Sequence, residues 1–339
     1  MAHDQEPHHQ EPHHQEPHHQ EPRQHEPHEA APHEAAPHEA GHRHTPVHAH
    51  AHTHAHGGDT DVDWSEMGPH LETQAELFAP VHERIMAWLA EAVTGPELIV
   101  DAGSGPGVVS CLFAQTFPKA RIVAVDSTGP LLERARVRAA RQGVADRFAT
   151  LTGELPQVLD ELDGPADLLW ASRSLHHIGD QRAALAAFAA HLAPGGTLAL
   201  LEGGLPSRFL PRDIGIGRPG LQARLDALQE EWFARMRAGL PGSVAEAEDW
   251  SALLTSAGLR HTGTRSFLLD LPAPASERAL GYAADLFTRM RDIAAEDLDP
   301  EDLATLDRLL DPADPASLHR RPDVFVLSAY TVHTAVRPR

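Results

Sequence analysis

The chain has 339 residues, one cysteine and a formal net charge of −21 at pH 7. Binding to a phosphate backbone draws on clustered Lys and Arg, so this balance excludes nucleic acid as an expected partner. A lone Cys111 excludes an internal disulfide and a cysteine-based zinc site, and no apolar run approaches a membrane span, so the expectation is a cytoplasmic protein without a membrane partner.

Residues 1–58 are a material apart, carrying pentads such as His8-His9-Gln10-Glu11-Pro12 and then Pro-His-Glu-Ala-Ala repeats. Eighteen of the 26 histidines precede Gly57. Proline every five residues blocks a helix and there is almost nothing apolar to bury, so the segment is expected to be a disordered tail. Its alternating His48, His50, His52, His54 and His56 are candidate ligands for zinc, nickel or copper, because neutral imidazoles close together on a chain raise the effective ligand concentration. No metal is expected to take part in catalysis.

From about Trp64 the texture changes, and residues 59–339 read as one domain with a core at 97–202. Leu77, Val81, Ile85, Trp88, Leu89 and Ala92 follow helical spacing and predict a helix ahead of the first strand. Strands are predicted at 97–102, 121–126, 148–152, 166–172 and 196–202, with helices at 107–117, 130–142 and 180–192. Strand and helix alternate in units of roughly thirty residues, which implies right-handed crossovers and a parallel sheet covered on both faces. The fold class is therefore α/β, doubly wound and Rossmann-like, with helical insertions.

The first insertion, 204–243, lies where a lid over a substrate would sit. Arg208, Arg212 and Arg218 stand there among glycines and prolines as candidates for gripping an anion. Its helix carries a stripe of Leu225, Trp232 and Met236 that predicts core packing. Ser243 is expected to cap a short helix running to about Ser256, with Gly258 as its stop. Two late strands near 259–271 and 323–335 flank a second, mostly helical insertion at 272–322.

Ligands of open α/β sheets bind beyond the carboxyl ends of the strands, so the residues that follow each strand are the ones to weigh. The first strand runs into Asp101-Ala102-Gly103-Ser104-Gly105-Pro106-Gly107, where glycines at alternate positions let the backbone turn sharply and a ligand approach it closely. A dinucleotide fingerprint would need Gly or Ala at Val108, which disfavours a nicotinamide oxidoreductase. The second strand ends in Asp126-Ser127, whose carboxylate can accept from two adjacent ribose hydroxyls. The third ends in Gly153-Glu154, and the fourth in Ser172-Arg173-Ser174-Leu175-His176-His177-Ile178.

The first of these runs resembles the D/E-x-G-x-G-x-G motif of class I S-adenosylmethionine-dependent methyltransferases. The run 172–178 resembles the N/S-x-x-L-H-H-L stretch of their small-molecule branch, the ubiquinone and menaquinone C-methyltransferases among them. Leu192-Ala193-Pro194-Gly195-Gly196 is similar to the turn that precedes the family's fifth strand. The resemblance implies a seven-stranded sheet whose last hairpin places one strand antiparallel, and S-adenosylmethionine as cofactor. It implies cofactor contacts from Asp101, Gly103, Ser104, Gly105, Gly107, Asp126, Ser127, Gly153, Glu154, Ser172 and Arg173. Arg173 departs from the Asn often found at its place. His176 or His177 sits where a base would serve an acidic acceptor. The N/D-P-P-Y/F tetrapeptide of amino-group methylation is missing after the fourth strand, which favours a small organic acceptor. The competing reading is a metal-buffering protein whose folded body is a catalytically reduced cofactor module.

Overall fold

The computed structural model describes residues 67–294 and 296–339. The expected tail disorder and the metal ligands His48 to His56 lie outside the described residues. Two helices, α1 (Gly68–Leu77) and α2 (Ala79–Ala92), lead into β1 (Leu98–Ala102), α3 (Val108–Thr116), β2 (Arg121–Asp126), α4 (Gly129–Arg141), β3 (Phe148–Thr152) and β4 (Ala166–Ser172). The chain continues through α5 (Gln181–Ala190), β5 (Leu192–Arg208), α6 (Leu221–Gly239), α7 (Trp250–Ser256), β6 (Arg260–Leu271), α8 (Glu277–Ile293), α9 (Pro300–Leu310) and β7 (Val326–Val336).

The seven strands form one sheet in the order β3-β2-β1-β4-β5-β7-β6. Strands β1 to β5 pair in parallel, and β7 runs antiparallel between β5 and β6. Every residue of β1 is buried, as expected of a central strand covered on both faces, whereas the edge strand β3 has no fully buried residue. One apolar layer holds α2, α3, α8 and α9 against the sheet through Ile85, Leu89, Phe113, Trp170 and Phe287. The other holds α5 and α7 through Leu185, Phe188, Trp250 and Leu254. Strand order reverses between β1 and β4, so a crevice opens beyond their carboxyl ends.

Local chemistry differs from the sequence expectation in four places. The leading helix is two helices, because Pro80 starts a new one after Phe78. Pairing of β5 begins at Leu192, so the Pro194-Gly195-Gly196 segment is an irregularity inside the strand, with Gly195 at φ 84°. Ser243 caps no helix: its hydroxyl donates to the Arg237 carbonyl at 2.8 Å. Helix α7 begins only at Trp250, and Asp249 accepts from Ala252 N at 3.0 Å as its cap. Gly258, at φ 81°, does stop that helix. In α6, Leu225 is buried, but Trp232 and Met236 are only half-buried, so the stripe is not a core seam along its whole length.

Candidate functional site

The loop after β1 is held by backbone. Gly103 N and Ser104 N both donate to Val125 O at 2.8 Å, which ties the loop to the end of β2. Gly103, Gly105 and Gly107 have φ of 79°, 53° and 70°, a region that residues bearing a Cβ rarely adopt. At Gly103 a Cβ would lie 2.5 Å from Ser174 Cβ, and at Gly107 it would lie 2.5 Å from Ala135 Cβ on α4. These two glycines therefore serve close packing. Gly105 is different, since the nearest atom to its missing Cβ is Leu71 Cδ1 at 4.0 Å. Its open side, together with the buried Ser104 hydroxyl that has no hydrogen-bond partner, forms a cradle suited to a polar ligand.

Asp101 and Asp126 play unlike parts. Asp101 is 2 % exposed, and its Oδ2 accepts from Ser110 Oγ on α3 at 2.5 Å. Burial pushes its carboxyl up to about 7, against the Ser110 hydrogen bond and with help from the nearby Asp126 charge. Asp126 is half-buried at the end of β2, its Oδ2 accepting from Gly105 N and its Oδ1 from Thr128 N, each at 2.9 Å. A carboxylate so fixed retains lone pairs for two further donors. Ser127 is exposed beside it, and Glu154 is exposed beyond β3. Gly153 N donates to Asp126 O at 3.1 Å, which brings the third strand end to the same crevice.

Beyond β4, Ser172 is half-buried and Arg173 stands at φ 51°, the only non-glycine at positive φ among the described residues. Its backbone N donates to Leu201 O at 3.0 Å, which anchors this strained residue at the switch point. Ser174 donates to Ala102 O at 3.0 Å. His176 Nδ1 lies 2.9 Å from Glu202 Oε2, and Glu202 Oε1 accepts from Leu175 N at 3.1 Å. Glu202, at the end of the apolar run of β5, is 5 % exposed. It fixes the ring and leaves His176 Nε2 as the basic nitrogen. The ring of His177 reaches solvent, but protein surrounds it closely; burial, followed by the charges of His176, Arg173 and Arg237, pushes it down to about 3. His177 is thus neutral at pH 7. The guanidinium of Arg237, from α6, closes the turn by donating to the carbonyls of His176, Ile178 and Gly179 at 2.8, 2.6 and 3.3 Å.

Two of the three arginines expected to grip an anion are paired with carboxylates instead. Arg208 pairs with Asp226, and Arg218 pairs with Asp302 at 2.8 Å and Asp299 at 3.3 Å, while Arg212 is exposed. Sequence reasoning missed Glu202, although a carboxylate ending an apolar strand is the signal that singled out Asp126. It also missed His82, Tyr282, Arg289 and Tyr330, which come from α2, α8 and β7 and bear no local motif.

A glycine cradle and an acidic strand end at the switch point of an open α/β sheet define a nucleotide-cofactor-binding fold. Comparison with known proteins narrows the class. Residues 99–196 match the family model described as a methyltransferase domain. A trans-aconitate 2-methyltransferase of Methylobacterium nodulans is 31% identical over 223 residues, 57% of this chain and 79% of that protein. An uncharacterized methyltransferase of Mycobacterium tuberculosis is 33% identical over 114 residues, 33% of this chain and 54% of that protein. An uncharacterized protein of Synechococcus is 40% identical over 104 residues, 31% of this chain and 25% of that protein. The chain thus spans between a quarter and about half of the length of the last two relatives. The chain belongs to the class I S-adenosylmethionine-dependent methyltransferases.

Proposed function

We propose that this protein transfers a methyl group from S-adenosylmethionine to a small organic acceptor. The observation that carries the reading is the cradle itself: the open side of Gly105 and the unpartnered Ser104 hydroxyl stand beside an Asp126 carboxylate already fixed by two backbone amides. Gly103, Ser104, Gly105 and Gly107 would hold the cofactor along the loop. Asp126 and Ser127 would take its ribose, and Gly153 and Glu154 its adenine edge. Asp101 acts behind the loop, where its bond to Ser110 sets the start of α3.

The cofactor, when bound, supplies a sulfonium methyl that is already electrophilic. The protein's task is then to align the acceptor, exclude water and, for an acidic acceptor, take a proton. His176 is assigned that last role, with Glu202 as the positioning residue that holds Nδ1 and aims Nε2. His177 is kept neutral and poorly basic by its surroundings. The Methylobacterium nodulans relative is named for methyl transfer to trans-aconitate, an acceptor of the size proposed.

S-adenosylhomocysteine and NAD separate this reading from a nicotinamide enzyme. At about a hundredfold excess over its Kd, S-adenosylhomocysteine should add about 2.7 kcal/mol of stability. The melting temperature should rise by roughly 5 to 10 °C. A clear shift with NAD and none with S-adenosylhomocysteine would sink the proposal. Incubation with methyl-labelled S-adenosylmethionine and a metabolite extract then identifies the acceptor by its label.

A further inference from the structure

Most arginines of the described residues are paired with a carboxylate, closed on backbone carbonyls or fully exposed to water. Two stand apart: Arg173, exposed just beyond β4 but lying over an aromatic ring, and Arg289. Arg289, on α8, is half-buried, and no carboxylate of the described residues lies within ion-pair distance of it or of Arg173. The Arg173 guanidinium sits 6.0 Å from the centroid of the Tyr330 ring, with Nη1 3.5 Å from its hydroxyl. Tyr330 stacks on Phe78 at 4.5 Å, and Phe78 meets Tyr282 edge-on at 5.9 Å. Tyr282 and Arg289 are seven residues apart on α8, two helical turns along one face. One aromatic floor therefore carries the Arg173 guanidinium, and the helix that supplies Tyr282 to it also bears Arg289.

The electrostatics of this floor are incomplete. Burial, followed by the charge of Arg173, pulls Arg289 below its ordinary value, with only Tyr282 opposing. At Arg173 the cost of desolvation is outweighed, by Tyr330 first and then by Tyr282 and Glu202, so its value stands above the ordinary one. His82 is 4 % exposed, its Nδ1 has no hydrogen-bond partner, and its ring lies 5.9 Å from that of Tyr330. The like charges of Arg173 and Arg289 oppose one another, and the unpartnered buried nitrogen of His82 adds a further cost. A bound anion offsets the repulsion.

We infer that Arg173 and Arg289, with Tyr330 and His82, form a carboxylate-binding site for the methyl acceptor, so that the acceptor is an organic acid. The inference rests on the methyltransferase reading for the word acceptor, while the anion site stands on its own geometry. Planar guanidinium forks match a carboxylate by two parallel hydrogen bonds, and the tyrosine floor suits the flat, apolar part of such an acid. Position separates this site from the cofactor cradle. The cradle lies over β1 and β2, whereas Arg173 follows β4, Tyr330 lies on β7 and Arg289 on α8. Arg173, which the family resemblance would assign to the cofactor, is here assigned to the acceptor.

The cofactor also carries a carboxylate, on its methionyl end, and the experiment distinguishes the two sources. Full-length protein saturated with S-adenosylhomocysteine is titrated by calorimetry with succinate and trans-aconitate, and with their uncharged amides. The acids should bind, the amides should not, and binding should weaken as salt is raised. Arg289→Ala should lower acid affinity at least tenfold and change S-adenosylhomocysteine affinity less than twofold. Arg289→Gln, which keeps a long side chain, should do the same if the charge is what matters. An unchanged melting temperature in either variant shows that the fold is intact. Acid affinity that survives both substitutions overturns the proposal. So does loss of S-adenosylhomocysteine affinity in their place, which would give the pair to the cofactor. Failure of either acid to bind wild-type protein overturns it as well. If acids bind through Arg289 while S-adenosylhomocysteine does not bind at all, the anion site stands and the methyltransferase reading falls.

Discussion

The two halves of the crevice are built by different means. Over β1 and β2 the cradle is made almost wholly of backbone: three glycines at positive φ, two amides on Val125 O and two amides on Asp126. Over β4, β5 and β7 the work is done by side chains brought from distant parts of the chain, with His82, Arg173, Glu202, Tyr282, Arg289 and Tyr330 drawn from five different elements or their ends. A backbone site accepts one ligand chemistry and tolerates little change, whereas a side-chain site can be rewritten residue by residue. On the proposed reading, the cofactor half should tolerate little substitution, while the acceptor half can be altered one side chain at a time.

The sharpest way to break this comparison is in the loop. Gly103→Ala places a Cβ 2.5 Å from Ser174 Cβ at φ 79°. Backbone strain and overpacking together should cost about 2 to 5 kcal/mol, read as a fall in the urea midpoint. Gly105→Ala meets only Leu71 at 4.0 Å, so it should cost the fold about 1 to 2 kcal/mol while blocking S-adenosylhomocysteine just as completely. Equal stability losses in the two variants would mean that the open side of Gly105 is not the ligand side.

Asp126→Ala tests whether the halves are separable. A charged hydrogen-bond acceptor of this kind is worth roughly 1.5 to 3 kcal/mol, so S-adenosylhomocysteine affinity should fall tenfold or more by calorimetry. Affinity for succinate or trans-aconitate, measured without cofactor, should stay within about twofold, since the acid site lies across the switch point. Parallel losses in both ligands would show one coupled site.

The smallest effect is expected in the pH dependence, because the displaced groups of the two halves oppose one another in sign. His82, pushed down to about 4 by burial, opposed by a hydrogen bond to the Ala75 backbone and aided by the Arg173 charge, contributes stability above about 6.5 that is lost as pH falls through 4. Asp101, pushed up to about 7, contributes stability below about 3.8 that is lost as pH rises through 7. Between about pH 4 and 6.5 Asp101 opposes His82, while His177, pushed down to about 3, adds to His82, so stability should rise with pH. Asp101→Asn removes the opposing slope, and the rise from pH 4 to 6.5 should be about 1 to 3 kcal/mol steeper than in the wild type. A variant curve no steeper than the wild type would assign the behaviour to other groups.

The same division governed what the sequence made legible. Strand β1 and its glycine loop are contiguous, so alternation of glycine behind a buried strand was enough to find the cradle, and Asp126 followed from its place after the next strand. The antiparallel β7 was implied by family likeness, since periodicity does not carry strand order. Ser243 and Asp249 are both good caps, and the choice fell to packing: Val244 remains 42% exposed, while Trp250, Leu253 and Leu254 have a core to enter. The Arg208 and Arg218 pairs were hidden because their partners, Asp226 and Asp302, lie 18 and 84 residues away. Arg289 and Tyr330 were hidden for the same reason, as they lie 41 residues apart on different elements and no local motif joins them.

Arg237 has a mechanical consequence. Its guanidinium ties the last turns of α6 to the carbonyls of 176, 178 and 179, and among the described residues no other side chain donates to them. Without that tie the carbonyls of 176 and 178 are uncovered together, while Gly179 O keeps its bond from Val244 N at 3.1 Å. The insertion therefore fastens the histidine turn through Arg237, the Phe233 ring 5.5 Å from that of His176 and one backbone bond, and local loosening of α6 should loosen the His176 turn with it.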